Sequence, residues 1–439
     1  MNILLIDSQS CFLDFAIRCR EAGHNIRWFV GPNKDFSRSL TGLGFNMRVP
    51  SWEPHMRWAD LIVLSDNAKY LHDLESYRNK GFPIFGPNKE VASWELNRKK
   101  GQEVLAKHGI EIIPAASFRN YDKAIAYVKS TMKRYVSKPN GDADKALSYV
   151  SKSPADLVFM LEKWKKNGKL KDEFFLQEFR PGIEVAVGGW MGLNGFSQWW
   201  CENFEHKKLM NDDKGVNTGE MGTVIKYVQE SRLADYLLKP LEAELIRQGY
   251  TGYIDVSAII DKNGRIWPLE FTSRPGWPLF QIQQEVHRGD PAEWMLDALN
   301  GEDTFNPSTD ISVGVVVAMP DFPYSRITKK ECYGYPVYGV DNPSIRKHVH
   351  PAECAWDKAP AEENGKIVEK EMLVTAGDYV LICTGSASTV EEAKEKAYKI
   401  VEKVELPNSP IYRTDIGCRL EKQLPELQRL GFCTEWKYK

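Results

Sequence analysis

The sequence has eight cysteines in 439 residues but no closely spaced pair of them. Because there is no C-x-x-C pair and no zinc-like cysteine–histidine spacing, the pattern excludes a disulfide scaffold or zinc module and indicates reduced thiols. No apolar run approaches the roughly 20 residues that a membrane-spanning helix needs. The segment Met1–Asp7 also lacks a basic leader. We therefore expect a soluble cytoplasmic protein without a membrane partner.

Blocks of one charge are also lacking. The chain has 58 Lys and Arg against 60 Asp and Glu, a net charge of −2. Such a balance gives no clear nucleic-acid surface and no basic face for a membrane. Any attraction for phosphate groups must therefore be local.

The first part of the chain alternates strand and helix patterns. Short apolar runs at Asn2–Ile6, Asn25–Val30, Ala59–Leu64 and Pro83–Phe85 predict strands, and amphipathic segments such as Phe12–Ala22 separate them. This alternation predicts a doubly wound parallel sheet in residues 1–98.

The rest of the chain divides into two further predicted units. A helix over Ala92–His108 leads into a β-rich stretch, a second helix covers Leu233–Arg247, and the strands Gly252–Ile260 and Ile266–Phe271 form a hairpin. Further strands are predicted at residues 134–137, 147–150, 174–179, 185–188 and 197–201. After a linker at residues 301–309, a third unit contains strands at residues 311–319 and 379–384 and a helix at residues 389–404. The overall class is therefore mixed, α/β and α+β.

The most informative segment is Glu205–Gly222. It places His206, Lys207 and Lys208 before the run Asn217-Thr218-Gly219-Glu220-Met221-Gly222. Exposed cations beside glycines whose backbone can adopt positive φ are suited to binding anions. This segment therefore predicts a phosphate-handling loop, and the alternative is a solvated surface hairpin.

The spacing between His206-Lys207 and Asn217-Thr218-Gly219-x-Met221-Gly222 resembles the glycinamide ribonucleotide synthetase (phosphoribosylamine–glycine ligase) family of the ATP-grasp superfamily. Segments at residues 312–316, 387–393 and 412–419 resemble the C-terminal domain of the same family in order and spacing. The resemblance thus extends over nearly the whole chain. It implies an N-terminal pre-ATP-grasp domain (1–98), ATP-grasp nucleotide-binding lobes (99–300) and a C-terminal α/β cap (310–439).

The resemblance also implies an activity in purine biosynthesis. Forming an amide in water requires an activated carboxylate, which ATP provides by phosphorylating it to an acyl phosphate. The implied cofactors are ATP and Mg²⁺, or Mn²⁺ in its place. The implied substrates are glycine or another small amino acid, and phosphoribosylamine or a related amine.

Residue by residue, the resemblance implies a nucleotide site. Lys138 matches the nucleotide lysine before a phosphate-covering loop at residues 140–147, and Arg98 falls where the family has a phosphate-contacting lysine. The segment Gln177–Glu184 matches the hinge, which assigns Glu178 and Phe179 to adenine and Glu184 to ribose. The glycine-containing loop contributes Lys207 and Asn217 to the cofactor site and Lys208 to catalysis. Surface roles remain the alternative, because a strand-end lysine or a helix arginine is often merely solvated.

The segment Glu270-Phe271-Thr272-Ser273-Arg274 parallels the family's Glu-x-Asn-x-Arg. It assigns Glu270 and Thr272 to the metal, although a hydroxyl is a poorer Mg²⁺ ligand than an amide oxygen. Arg274 is the second catalytic assignment, since it would steady a phosphate or acyl phosphate. Asp255 is either a second carboxylate for the metal or a structural residue that faces a turn or pairs with a base.

The opening loop departs from the family. Where relatives have a glycine-rich segment that holds a ribose phosphate, this chain has Asp7–Leu13 without glycine. The segment Gly276–Leu279, after the metal motif, is likewise more apolar than the corresponding segment of the family. Two alternatives follow: a ligase acting on another amine, such as a modified nucleobase or nucleotide, or a catalytically retired protein that only binds nucleotide.

Overall fold

The computed structural model describes residues 1–31, 39–139, 148–168, 173–324, 330–407 and 409–439. The first segment forms a four-stranded sheet of order β2-β1-β3-β4, and every pairing is parallel. The predicted doubly wound sheet is therefore confirmed. Its elements in chain order are β1 (Asn2–Ile6), α1 (Leu13–Glu21), β2 (Asn25–Phe29), β3 (Leu61–Leu64), α2 (Leu71–Arg78), β4 (Ile84–Phe85) and α3 (Lys89–Leu96).

Both faces of this sheet are covered. Ile3 and Leu5 of β1 belong to the main hydrophobic core, which includes residues of α1. Leu4 and Ile6 belong to a second cluster, which includes residues of α2. A strand buried on both faces has no polar positions to alternate, which explains the unbroken apolar run at the N-terminus.

The predicted single helix over Ala92–His108 is wrong. The chain instead forms α3 and α4 (Arg98–Lys107), separated by Asn97. Asn97 has φ −116° and ψ 96°, outside the helical region, and its side chain accepts a hydrogen bond from the Lys100 amide. It therefore caps α4 and fixes the start of that helix at Arg98.

A small antiparallel sheet follows, of order β5-β8-β6-β7. Helices α5 and α6 supply Val128 and Leu161 to its hydrophobic core. The loop predicted over phosphate, residues 140–147, lies outside the described residues, as does the first residue of the strand predicted at 147–150. The elements are β5 (Ala115–Phe118), α5 (Tyr121–Thr131), β6 (Tyr135–Pro139), β7 (Tyr149–Val150), α6 (Pro154–Lys166) and β8 (Phe174–Glu178).

The next segment contributes most of a large sheet. The predicted helix over Leu233–Arg247 is divided in two, because Pro240 lies in a 3₁₀ turn, Lys239–Leu241, between the halves. The predicted Gly252–Ile260 and Ile266–Phe271 hairpin is confirmed. The elements are β9 (Ile183–Gly192), β10 (Gly195–Glu205), β11 (Lys208–Met210), β12 (Lys214–Asn217), β13 (Gly222–Val228), α7 (Arg232–Leu237), α8 (Glu242–Arg247), β14 (Gly252–Ile260), β15 (Ile266–Thr272), α9 (Leu279–Gln284) and α10 (Glu293–Leu299).

The last segment completes the large sheet, which is antiparallel with order β15-β14-β9-β10-β13-β16-β20-β17. Because β16 pairs with β13, one sheet runs from the predicted unit 99–300 into the predicted unit 310–439. Across the described residues, no helix has the length and apolarity to cross a membrane. The elements are β16 (Ile311–Ala318), α11 (Pro343–Arg346), β17 (Val349–Pro351), β18 (Cys354–Glu363), β19 (Lys366–Thr375), β20 (Tyr379–Ala387), α12 (Val390–Val401) and α13 (Leu420–Arg429).

Candidate active site

The register of the large sheet places polar residues on one face. Residues directly opposite each other in an antiparallel pair share a face. Asp255 lies opposite Thr272, and Ser257 lies opposite Glu270. The pairing of β14 and β10 with β9 continues this face across the sheet. We call it the polar face; its residues are Glu184, Asn203, Glu205, Asp255, Ser257, Glu270 and Thr272.

Ion pairs join this face to cations from other elements. Arg98, at the start of α4, contacts Glu270 with an Nη2–Oε2 distance of 2.8 Å. Lys207, between β10 and β11, lies 2.8 Å from Glu184 and 2.9 Å from Glu205. The structure therefore brings together four of the residues that the sequence assigned to nucleotide and metal.

Lys138 joins this cluster from the small sheet. Its charge interacts with those of Glu270, Arg98, Lys207 and Glu184. Burial is the main effect on this ammonium and lowers the pKa of Lys138 to about 8. The cluster is therefore assembled from both sheets, and it brings three cations together with the carboxylates of Glu184, Glu205 and Glu270.

Glu270 is the carboxylate on which these cations converge. Burial alone would raise the pKa of Glu270, but Lys138, Arg98 and Lys207 outweigh it and hold that pKa at about 2. The Glu270 side chain is nevertheless 46% exposed to solvent, so its oxygens remain accessible. Mg²⁺ typically uses one or two carboxylates together with nucleotide phosphates and water. An ionised, accessible Glu270 fits that mode, with Thr272 two residues along the same face.

A larger cluster of metal ligands is not found: the described residues include no group of three or more His, Cys, Asp or Glu side chains that could hold a metal ion. Asp255 lies in the middle of β14 and accepts hydrogen bonds from Asn203 at 2.9 Å and Tyr253 at 3.3 Å. It forms no ion pair with a Lys, Arg or His side chain among the described residues. Asp255 therefore neither faces a turn nor pairs with a basic side chain, and both of these structural interpretations are wrong. Burial, together with the charge of Glu205, raises the pKa of Asp255 to about 7.

Glu178 and Phe179, assigned to adenine, lie where β8 ends. Lys133 and Arg180 contact the Glu178 carboxylate at 2.6 and 3.1 Å, and its pKa is lowered, chiefly by the hydrogen bond from Lys133. The guanidinium of Arg134 stacks on the Phe179 ring, 3.4 Å from its centre. Both side chains are thus held by local cations, and their contact with adenine stays a prediction.

Lys208 and Asn217 lie opposite each other on the β11–β12 hairpin. The Lys208 ammonium is 3.4 Å from the Gly215 carbonyl oxygen, and the Asn217 side chain is exposed. Lys208 forms no ion pair with a carboxylate in the described part of the chain. The structure therefore places both residues on the loop beside Lys207 without bringing them into the ion-paired cluster.

Arg274 lies near the parallel sheet. Its guanidinium is 3.3 Å from Glu95 of α3, and this carboxylate is the main reason why the pKa of Arg274 is raised. Glu95 also accepts hydrogen bonds from the Ser273 amide and the Asn67 side chain, both at 2.7 Å. Sequence reasoning missed Glu95, because nothing in α3 marks it as the partner of a residue almost 180 positions away.

The glycine-free opening loop has a defined structure. The Asp7 carboxylate accepts hydrogen bonds from the amides of Cys11 at 2.9 Å and Phe12 at 2.8 Å, at the start of α1. It also accepts from Trp28 at 3.0 Å and Ser65 at 2.5 Å. Amides that could bind an anion at this helix N-terminus are therefore already occupied by the protein's own carboxylate.

The C-terminal segment holds the β11–β12 hairpin through charges. Arg413 is buried and contacts Asp415 at 2.7 Å and Asp213 at 2.9 Å, while Arg419 contacts Asp213 at 3.1 Å. The two arginines and the two aspartates thus form an ion-pair network, in which Asp213 of the hairpin region is the residue that both arginines share.

A cluster of cations and carboxylates between a small and a large antiparallel sheet, together with a doubly wound parallel sheet, defines an ATP-grasp protein. Two family models match the chain: the ATP-grasp (A) domain of phosphoribosylglycinamide synthetase over residues 97–278 and its C domain over residues 312–419. The chain belongs to the phosphoribosylglycinamide synthetase family. The resemblance described from the sequence is therefore confirmed.

Relatives agree with this assignment. Phosphoribosylamine–glycine ligase of Streptococcus pneumoniae is 26% identical over 446 residues, covering 96% of this chain and 100% of that protein. The enzyme of that name from Haemophilus influenzae is 27% identical, covering 80% and 81%.

Solved structures share the fold. The crystal structure of phosphoribosylamine–glycine ligase from Thermotoga maritima has a TM-score of 0.69 at 20% identity, covering 95% of this chain and 100% of that one. An N5-carboxyaminoimidazole ribonucleotide synthetase, solved as an ADP complex, has a TM-score of 0.58 at 14% identity, covering 91% and 96%. Their likeness supports the ATP-grasp fold.

Proposed function

We propose that the protein is an ATP-dependent carboxylate–amine ligase that joins glycine to phosphoribosylamine or a related amine. The observation that carries this proposal is the convergence of Arg98, Lys138 and Lys207 on Glu270 and Glu184. A triphosphate brings several negative charges, and a site for it needs both cations and an ionised oxygen ligand for its metal. The names of the relatives supply the two substrates.

The proposed roles follow the family resemblance, and the ion-paired cluster supports those of Arg98, Lys207 and Glu270. Lys138, Arg98 and Lys207 neutralise the phosphates, Glu184 accepts from ribose hydroxyls, and Glu178 and Phe179 border adenine. Glu270 and Thr272 hold Mg²⁺, which when bound would offset charge on the transferring phosphoryl group. Asn217 and Lys208 act from the hairpin loop, and Arg274 holds the carboxyl group that is activated.

The proposed reaction has two steps. A carboxylate oxygen of glycine attacks the γ-phosphorus of ATP, and the bond to ADP breaks, which gives glycyl phosphate. The amine nitrogen then attacks the carbonyl carbon, inorganic phosphate leaves with the carboxylate oxygen, and the nitrogen loses a proton. Lys138 and Arg274 stabilise negative charge that moves during both steps. We propose a cytoplasmic location for this chemistry, with small molecules as partners.

The test is phosphate release from MgATP with glycine across a panel of amines that includes phosphoribosylamine, with the product identified by mass. We expect release that depends on both glycine and an amine. Replacing Glu270 with Ala should abolish amide formation while the far-ultraviolet circular dichroism stays unchanged. Wild-type turnover in Glu270→Ala would contradict the metal assignment.

Asp7 favours a second candidate, in which the acceptor amine carries no phosphate that would bind at the C-terminal end of β1. Its carboxylate occupies the Cys11 and Phe12 amides just before α1 and also accepts from the side chains of Trp28 and Ser65. Under this alternative, amines without phosphate support turnover and ribose 5-phosphate does not inhibit it. Saturable activity with phosphoribosylamine would exclude the alternative and retain the main proposal.

A further inference from the structure

Beyond the ion-paired cluster, the polar face leads into a buried group of oxygen atoms that the proposed nucleotide chemistry does not use. We call it the acidic pocket. Its side chains come from β10, β13, β14 and the turn before β13, and each is at most 6% exposed. The members are Asn203, Glu220, Thr223, Asp255 and Ser257.

These residues lie together. Asn203 donates to Asp255 at 2.9 Å, and Ser257 is two residues further along the same face of β14. Thr223 lies opposite Glu205 in the β10–β13 pairing. Glu220 is buried just before β13, where the amide of the next residue, Met221, donates to the His206 carbonyl, and the charges of Glu205 and Asp255 act on its carboxyl group.

Several of the pocket's oxygen atoms have no hydrogen-bond partner. They are Asn203 Oδ1, Glu220 Oε1, Thr223 Oγ1 and Ser257 Oγ. Buried polar atoms in folded proteins are nearly always hydrogen-bonded, so such a group requires an explanation. Two of these atoms can only accept hydrogen bonds, and the two hydroxyls can also accept, so the group suits a ligand rich in donors.

Burial and the charge of Glu205 raise the pKa of both acidic groups of the pocket, Glu220 and Asp255. Neither Glu220 nor Asp255 forms an ion pair with a cation in the described ranges. The nearby ammonium of Lys207 is already shared by Glu184 and Glu205. A primary ammonium group would meet both needs, because it carries a positive charge and three N–H donors.

The charge of Glu205 connects the acidic pocket with the proposed carboxyl site. The charge of Glu205 acts on Arg274 as well as on Glu220 and Asp255. The Arg274 cation and the acidic oxygens of the pocket are therefore both within the electrostatic range of Glu205. An α-amino acid, with a carboxylate and an ammonium group one carbon apart, has matching charges at both ends.

We propose that the acidic pocket binds the ammonium group of the amino-acid substrate and so selects an amino acid over a carboxylic acid without an amine. The bound ammonium group favours the ionised form of Glu220 and Asp255, which then supply the negative charge, and Asn203 and the hydroxyls accept the remaining hydrogen bonds. The proposal rests on the proposed function for the identity of the amino acid. It adds the residues that recognise its amino end.

The experiment compares wild type with Glu220→Gln and Asp255→Asn, which keep size and remove charge. Glu202→Gln is the matched control, because Glu202 is a buried carboxylate on β10 that bonds Ser231 and Trp436 on the opposite face. Hydroxylamine serves as the acceptor, since it traps an acyl phosphate as a hydroxamate. Glycine is compared with glycolate, which has a hydroxyl in place of the ammonium group, and glycine binding is also measured by calorimetry with a non-hydrolysable MgATP analogue.

We expect Glu220→Gln and Asp255→Asn each to raise the KM and Kd for glycine by at least about tenfold, as expected for the loss of a charge-assisted hydrogen bond. In both variants the KM for ATP should stay within about twofold of wild type, and the preference for glycine over glycolate should decrease. In Glu202→Gln the KM and Kd for glycine should also stay within about twofold of wild type. Unchanged glycine binding in both variants would overturn the proposal, as would an effect confined to the KM of the acceptor amine. If wild type binds glycine and the variants lose it while no hydroxamate forms, the pocket assignment stands and the ligase proposal fails.

Discussion

At the scale of single residues, two neighbouring lysines have different surroundings. Lys207 is held between Glu184 and Glu205 in the ion-paired cluster, whereas Lys208 begins the β11–β12 hairpin and approaches the Gly215 carbonyl. Adjacent residues of an extended chain point in opposite directions, so this difference follows from the strand geometry. Replacing Lys207 and replacing Lys208 should therefore change different kinetic parameters.

Replacing Lys207 with Met should raise the KM for ATP by at least about tenfold, because a charge-assisted contact to the nucleotide is lost and two carboxylates are left without their cation. Replacing Lys208 with Met should instead lower kcat, in keeping with its assignment to the catalytic loop. Lys214→Met, in an exposed ion pair with Asp212, is the control. Steady-state kinetics with varied ATP measure both effects, and an unchanged KM in Lys207→Met would contradict the nucleotide role.

Sequence reasoning reached part of this site. The residues with a motif, Arg98, Lys138, Glu184, Lys207 and Glu270, converge in the structure. Glu95 and Glu220 were not found, because their importance comes from a distant partner or from an empty hydrogen-bonding position. Neither property has a local signal in the chain.

At the scale of elements, strands were easier to predict than helix boundaries. The β1 run and the β14–β15 hairpin were predicted, because burial on both faces and a tight turn leave strong local patterns. The breaks at Asn97 and Pro240 were missed, since the apolar periodicity continues through them. Strand β13 is not predicted, because the glycines at its start have the pattern of a phosphate-binding loop.

The start of α1 provides a test at this scale. Asp7 accepts four hydrogen bonds from β2, the loop after β3 and α1. Replacing it with Ala should lower the free energy of unfolding by about 3 kcal/mol or more, because several buried donors lose their acceptor. Asp7→Asn should cost less, as its amide oxygen can still accept. Urea unfolding measures both, and an Asp7→Ala protein as stable as wild type would contradict this role.

At the scale of the whole molecule, one antiparallel sheet runs from β15 to β17 and ties the nucleotide region to the C-terminal segment. His206 lies at this junction, fully buried, and its Nε2 accepts from the Gly417 amide at 3.2 Å. Burial, helped by Arg419 and Arg413, lowers the pKa of His206 to about 3. The native protein therefore keeps this imidazole neutral.

Stability should consequently fall in mild acid. In the unfolded chain His206 takes up a proton near pH 6.5, and the folded state does so only near pH 3, so stability is lost as the pH falls below about 6.5. Within that window one such group contributes about 1.4 kcal/mol per pH unit. Replacing His206 with Gln should reduce the slope of unfolding free energy between pH 5 and pH 6 by about that amount. An unchanged slope in urea titrations would show that His206 is not the titrating group.

The central claim is that the cluster around Glu270 uses MgATP to phosphorylate a carboxyl group. Its most direct test uses glycine labelled with oxygen-18 in both carboxylate oxygens, with MgATP and either an amine substrate or hydroxylamine. The account predicts ADP as the nucleotide product and one labelled oxygen in each molecule of released phosphate. Unlabelled phosphate, or label found in AMP, would contradict it.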